Sequence, residues 1–288
     1  MLKPLSSVRW LVPALLVAGA SVSHAGLVVL PVATDTSTPI VSGEYVVNQA
    51  GDPAKARGDF KTLLKEGDTR KEETFSGFVA SSNPMSSLTL SSIGAEVTVG
   101  TGSGLETGRI VSRTYDPIEN GRFDTTGDNN AQWWLTDNSF ELNFSGSAKK
   151  GISALAFYGT DIGDFDGSFS LRLLKAGEAV DANGEGGTLI ELIPFRQQAT
   201  SNNGANNGWL SHFGFYDDEN VYERVIFELG QANGDDGRDF IGFDDFLVGE
   251  LNDPTTNPVP EPGSLALVCA SLLALTAARR RRTGSNKA

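Results

Sequence analysis

SFSLRLL, residues 168–174, alternates apolar and polar side chains. Phe169, Leu171 and Leu173 fall on one face, which is the period of a strand with one buried side. SFELNFS (139–145) repeats the pattern through Phe140, Leu142 and Phe144. VYERVIFEL (221–229) repeats it through Val221, Val225, Phe227 and Leu229, with Glu223 interrupting the face as expected near a sheet end. Runs of aromatic and β-branched residues between Gly, Asn, Asp and Ser clusters predict further strands. The full set is 45–48, 75–80, 87–90, 96–99, 109–113, 132–135, 139–144, 152–158, 168–174, 188–193, 210–216, 221–228 and 242–248.

One short helix is expected over 53–66. Asp52 can cap it, Pro53 suits its first turn, Phe60, Leu63 and Leu64 share a face, and Gly67 can end it. Gly58 weakens its middle. DANGEGG (181–187), TSNNGANNG (200–208) and QANGDDGR (231–238) are turn chemistry. Many short strands without regular βα alternation predict an all-β protein, a jelly-roll-like β-sandwich over 26–250. LNDPTTNP (251–258) reads as a polar linker.

Both ends are apolar. Lys3 and Arg9 precede an apolar run over 10–20, and Ser23 and Ala25 place small residues at a cut before Gly26. That is the layout of a signal peptide over 1–25, starting with a hydrophobic signal helix. At the other end, residues 263–278 carry no charge and are followed by Arg279, Arg280, Arg281 and Arg282. As a helix the run would be ~24 Å long, short of a ~30 Å hydrocarbon core, with arginine snorkelling to help at one end. Positive-inside logic holds the arginines in the cytoplasm and puts the body outside.

Between the ends, residues 26–258 carry 16 of the 23 Lys and Arg and 35 of the 36 Asp and Glu, a net charge of −19. Phosphate repels such a body, which excludes nucleic acid as a partner. The only cysteine, Cys269, lies in the C-terminal run, so the body holds by its core alone. His212 is the body's one histidine. Multi-His and Cys-based zinc sites are thereby excluded, and His212 reads as a half-buried strand residue.

Pro260, Glu261 and Pro262, the apolar run and the arginines together resemble the PEP-CTERM sorting signal over 259–282. The resemblance implies a Gram-negative, exopolysaccharide-making host and an exosortase acting near Pro-Glu-Pro. It also implies entry through the Sec machinery, a passing inner-membrane anchor, and a final place in the cell envelope or outside the cell. FYGTDIGDF (157–165), ETFSGF (73–78), GRF (121–123) with Trp134, FGF (213–215) and FIGFDDF (240–246) resemble motifs of an uncharacterised group of PEP-CTERM proteins. Ser76 stands where that group has an acid, and Ile241 is inserted after Phe240. This likeness implies fold and location and no chemistry.

Asp161, Asp164 and Asp166 follow one strand on a Gly-containing loop, and Asp244 and Asp245 sit in the last. If they converge they suit a structural calcium ion, a hard cation that takes six to eight oxygens. The same acids equally suit turn capping and backbone amides. Trp133 and Trp134 point to opposite faces of a strand. One of them could be a platform for stacking on sugar rings; the alternative has both rings covered. These features favour a non-catalytic, exported surface or matrix protein that binds polysaccharide. The competing function is a secreted polysaccharide-active enzyme using a carboxylate pair, which the body's 35 acids allow; no Ser-His-Asp signature is present. A purely structural matrix component is the third.

Overall fold

The computed structural model describes residues 26–35, 52–81, 83–100, 108–112, 125, 132–146, 150–161, 167–196, 209–231 and 240–252. The signal segment, the strand expected at 45–48, the loop acids Asp164 and Asp166, and the sorting segment with its hydrophobic helix lie outside the described residues. In chain order the elements are β1 (Leu27–Val29), β2 (Ala33–Asp35), α1 (Asp52–Leu63), β3 (Lys71–Glu73), β4 (Ser87–Leu90), β5 (Ala95–Val99), β6 (Arg109–Ser112) and β7 (Gln132–Thr136). They continue as β8 (Phe140–Asn143), β9 (Ala154–Thr160), β10 (Gly167–Leu174), β11 (Thr188–Arg196), β12 (Leu210–Asp217), β13 (Arg224–Gln231) and β14 (Ile241–Gly249).

These strands form two antiparallel sheets. The first runs β1-β12-β9-β14-β7-β6, with β2 also on β12 and β3 also on β14; the second runs β11-β10-β13-β8-β5-β4. Alternation supplies the filling between them. Phe157, Phe213, Phe243 and Phe246 from the first sheet meet Phe140, Phe169 and Phe227 from the second. Phe140 and Phe227 stack at 4.3 Å, and Phe243 meets Phe140 edge-on at 5.1 Å across the gap. Such ring pairs add roughly 0.5–1.5 kcal/mol beyond the area they bury.

Phe243 and Phe246 are three residues apart, so a regular strand would put them on opposite faces. A bulge resolves the conflict. On β14, Asp244 pairs with Tyr158 and Leu247 with Ala156, so three steps on one strand match two on the other. The extra residue is Asp245, at φ 53°. Both phenylalanines therefore enter the core, and both acids face the other side of the sheet.

That other side is covered by α1. Phe60 and Leu64 pack on Ala154, Ala156 and Leu247, and the two alanines let the helix come close. The buried stripe of the helix is Pro53, Arg57 and Phe60. Leu63, expected on the packed face, is 36% exposed, because the helix ends there. The chain after β14 takes over the helix end: the Asn252 N–H donates to the Leu63 carbonyl at 2.8 Å. Leu251 and Asn252, expected in the linker, therefore belong to the body.

Two more expectations change. Residues 75–80 form a turn rather than a strand, because Phe75 adopts φ 57° and its N–H donates to Glu73 Oε1 at 2.8 Å. The ring is still buried, edge-on to Phe246 at 5.7 Å. In VYERVIFEL, pairing starts only at Arg224, with Glu223 just outside the strand. Tyr222 bridges to Ile152 on its own and takes the buried place, leaving Val221 53% exposed.

Deleting Asp245 removes the bulge and turns Phe246 away from the core, whereas Asp245→Gly keeps the left-handed backbone. The deletion should abolish the cooperative thermal transition and Asp245→Gly should only lower its midpoint. Equal melting temperatures for the two would refute the bulge's role.

Candidate functional site

Sheet register builds a transverse row beneath α1: His212 of β12 lies opposite Tyr158 of β9, and Tyr158 opposite Asp244 of β14. Asp245 sits beside the row, and Arg57 comes down from the helix. Its Nη1 donates to the Asp245 carbonyl at 2.5 Å, and its guanidinium lies 5.3 Å over the Tyr158 ring. Its Nη2 also donates to Glu72 Oε2 at 3.2 Å, and Lys61 pairs with the other Glu72 oxygen at 2.8 Å. Burial works against ionised Glu72, but Lys61 and Arg57 outweigh it and hold its carboxyl below the usual range.

Thr125 closes the acid pair. Its N–H and hydroxyl donate to Asp244 Oδ2 at 2.8 and 2.9 Å, and the hydroxyl lies 3.1 Å from Asp245 Oδ2. The Asp245 N–H donates to Asp244 Oδ1 at 2.7 Å. Burial, then the neighbouring Asp245 charge, push Asp244 well above the ordinary carboxylate range despite these donors. Burial also raises Asp245, with Arg57 opposing. Burial takes the Tyr158 hydroxyl up to about 12.

His212 is fully buried rather than half-buried. Its ring lies edge-on to Tyr158 at 5.5 Å and to Phe60 at 6.4 Å, and neither nitrogen has a hydrogen-bond partner. Burial, helped by the Arg57 charge, lowers its pKa to about 3. The imidazole acts as a neutral packing group.

Of the five acids expected to share calcium, Asp164 and Asp166 lie outside the described residues, and Asp161 stands apart from Asp244 and Asp245. Asp161 lies three residues along β9 from Tyr158, hence roughly 10 Å along the strand from the Asp244 row. It sits beyond the last pairing of Thr160 with Gly242, at φ 65°, with its N–H donating to the Trp209 carbonyl at 3.0 Å. Among the described residues, no three of His, Cys, Asp and Glu form a group that could hold a metal. Asp244 and Asp245 use their oxygens on Thr125, Arg57 and a backbone amide instead.

Trp133 and Trp134 do point to opposite faces, but both are fully buried and neither offers a stacking platform. Trp134 enters the core, lying flat where a side chain on Gly108 would stand: a Cβ there would fall 1.7 Å from the ring. Trp133 packs with Val111, Leu135 and Phe240. Arg57 and Thr125 went unnoticed in the sequence. Arg57 stands three residues before Phe60, on the helix's buried stripe, and that position was the available signal.

The described surface also carries an open cleft of about 600 Å³. It lies between the end of α1, the β12–β13 turn and residues 250–252. Leu63, Tyr216, Val221 and Leu251 are its apolar and aromatic lining, with Asp218 and Glu219 among its polar groups. Asp217 fixes the turn: the Glu219 and Asn220 N–H groups donate to its Oδ1, both at 2.9 Å, and the Tyr222 hydroxyl to its Oδ2 at 2.5 Å.

Beyond the body, residues 258–282 match the model of the PEP-CTERM protein-sorting motif. The chain carries a PEP-CTERM sorting signal. It marks an exported, envelope-associated protein that exosortase processes. No curated protein matches the chain. Among solved structures, the K2 cleaved adhesin domain of Lys-gingipain is similar at 15% identity and TM-score 0.40, over 63% of this chain and 98% of that one. The K3 cleaved adhesin domain of Lys-gingipain from Porphyromonas gingivalis is similar at 11% identity and TM-score 0.27, over 50% of this chain and 91% of that one. At these scores neither bears on the function of this chain. Among the described residues no helix is long and apolar enough to cross a membrane.

Arg57 Nη2 lies 3.8 Å from Asp245 Oδ1; Arg57→Leu would leave Asp245 buried without its cation and should cost about 3–5 kcal/mol in chemical denaturation, and a loss below about 1 kcal/mol would contradict that pairing. His212 gives the pH dependence. Unfolded histidine protonates near pH 6.5 and the folded one only near 3. The unfolded state thus binds more protons between those values, and stability is lost as pH falls through that window. His212→Phe should narrow the gap in melting temperature between pH 7 and pH 4. An unchanged gap would refute the neutral, buried imidazole.

Proposed function

We propose that this protein is an exported, exosortase-sorted surface or matrix component that acts by binding extracellular polysaccharide, not by catalysis. The observation that carries the reading is the sorting signal at 258–282. In this reading the Sec machinery exports the chain, the C-terminal run holds it at the inner membrane, and exosortase removes that run. The acidic body supports a partner other than nucleic acid. A hydrolase built on a carboxylate pair needs two acids open to substrate, and Asp244 and Asp245 are buried.

Intact-mass analysis of the protein recovered from its native host should give a chain that begins at Gly26 and lacks residues 265–282. A fully exported chain that keeps those residues would sink the sorting claim. Sedimentation with the host's own exopolysaccharide should carry the protein into the pellet; its staying in the supernatant would sink the binding claim.

A further inference from the structure

We propose that the cleft between the end of α1, the β12–β13 turn and residues 250–252 is the polysaccharide site, and that it takes pyranose units bearing no negative charge. The inference rests on the function proposed above and adds a place and a ligand class to it.

The walls of the cleft are fixed by the fold itself. The Lys65 N–H donates to the Glu250 carbonyl at 2.9 Å, and Asn252 Nδ2 donates to the Thr62 carbonyl at 2.9 Å, joining the helix end to the departing chain. On the opposite side the Asp217 N–H donates to the Ser153 carbonyl at 2.8 Å, and Asp217 in turn holds the β12–β13 turn. A pre-formed cleft of about 600 Å³ falls in the size range of small-ligand sites, roughly 300–1,000 Å³. Rigid walls favour a rigid ligand, because less freedom is lost on binding.

The lining then selects the chemistry. Tyr216, Val221, Leu63 and Leu251 present apolar surface, and Val221 and Leu63 are among the large apolar side chains that the described residues leave in solvent. Asp218 and Glu219 add carboxylates, which only accept hydrogen bonds. The lining holds four acids against one cation, Lys65, which lies 3.9 Å from Glu250. A matching ligand needs an apolar face, many hydroxyl or ammonium donors, and no anionic group. Lipid tails fail on the donors, and nucleotides, uronates and sulfated glycans fail on charge. A neutral or amino-sugar pyranose meets all three, with C–H groups on its faces and hydroxyls around its edge.

The test uses the mature protein from its host, as wild type and as Val221→Glu and Asp218→Lys. Both positions are exposed, and unchanged melting curves establish that the variants fold. Calorimetry against cellohexaose, the glucosamine hexamer and hexagalacturonate is run beside sedimentation with the host polysaccharide. The wild type should bind at least one of the first two, with hexagalacturonate at least tenfold weaker, and each variant should lose at least tenfold in affinity. Undiminished retention of host polysaccharide by both variants would overturn the site while leaving the proposed function standing. Equal binding of hexagalacturonate, or no binding of either other oligosaccharide, would overturn the ligand class. Failure of the wild type to retain host polysaccharide would overturn the function and the site with it.

Discussion

One extra residue in β14 sets the relation between the two faces of the first sheet. Asp245 bulges out of the pairing with β9, so Phe243 and Phe246 both reach the inter-sheet core while Asp244 and Asp245 both face α1. Buried carboxylates need donors or cations, since an unpaired buried charge costs several kcal/mol. Thr125 donates to Asp244, and Arg57 lies 3.8 Å from Asp245 Oδ1, so meeting that need also ties Thr125 and the helix to the sheet. The FDDF sequence is thus a packing device and a polar clasp in four residues.

The sandwich was legible where alternation is long. SFSLRLL and SFELNFS announce themselves because a one-residue slip would turn their apolar side chains to water. Three-residue strands such as β1, β2 and β3 hold too few side chains for a period to show. ETFSGF looks like a strand by composition, yet a left-handed Phe75 makes it a turn that still buries its ring. The strand order is the least legible feature: β14 lies between β9 and β7 through pairings that no local pattern encodes.

The site was legible in residue type and not in place. Asp161 and Asp244 are acids in neighbouring strands, but the register separates them, so their shared chemistry never becomes a shared site. Adjacent tryptophans suggested a platform, and the buried surroundings of both faces removed it. Arg57 lies on the buried Pro53–Phe60 stripe of the helix, over Tyr158, a place that its residue type alone does not announce. The cleft combines the end of α1, Ser153, Tyr216 to Val221 and Glu250 to Asn252, segments far apart in sequence. It adjoins the point where the chain leaves the body toward the sorting signal, so anchorage and binding would share one end of the domain.

The central structural claim is that Asp244 is bound by the protein itself, through Thr125. A double-mutant cycle of Thr125→Val and Asp244→Asn, read by chemical denaturation at pH 7, measures that bond directly. The structure predicts a coupling of about 1–3 kcal/mol, within the range for buried residues in contact. Strictly additive effects of the two substitutions would contradict it.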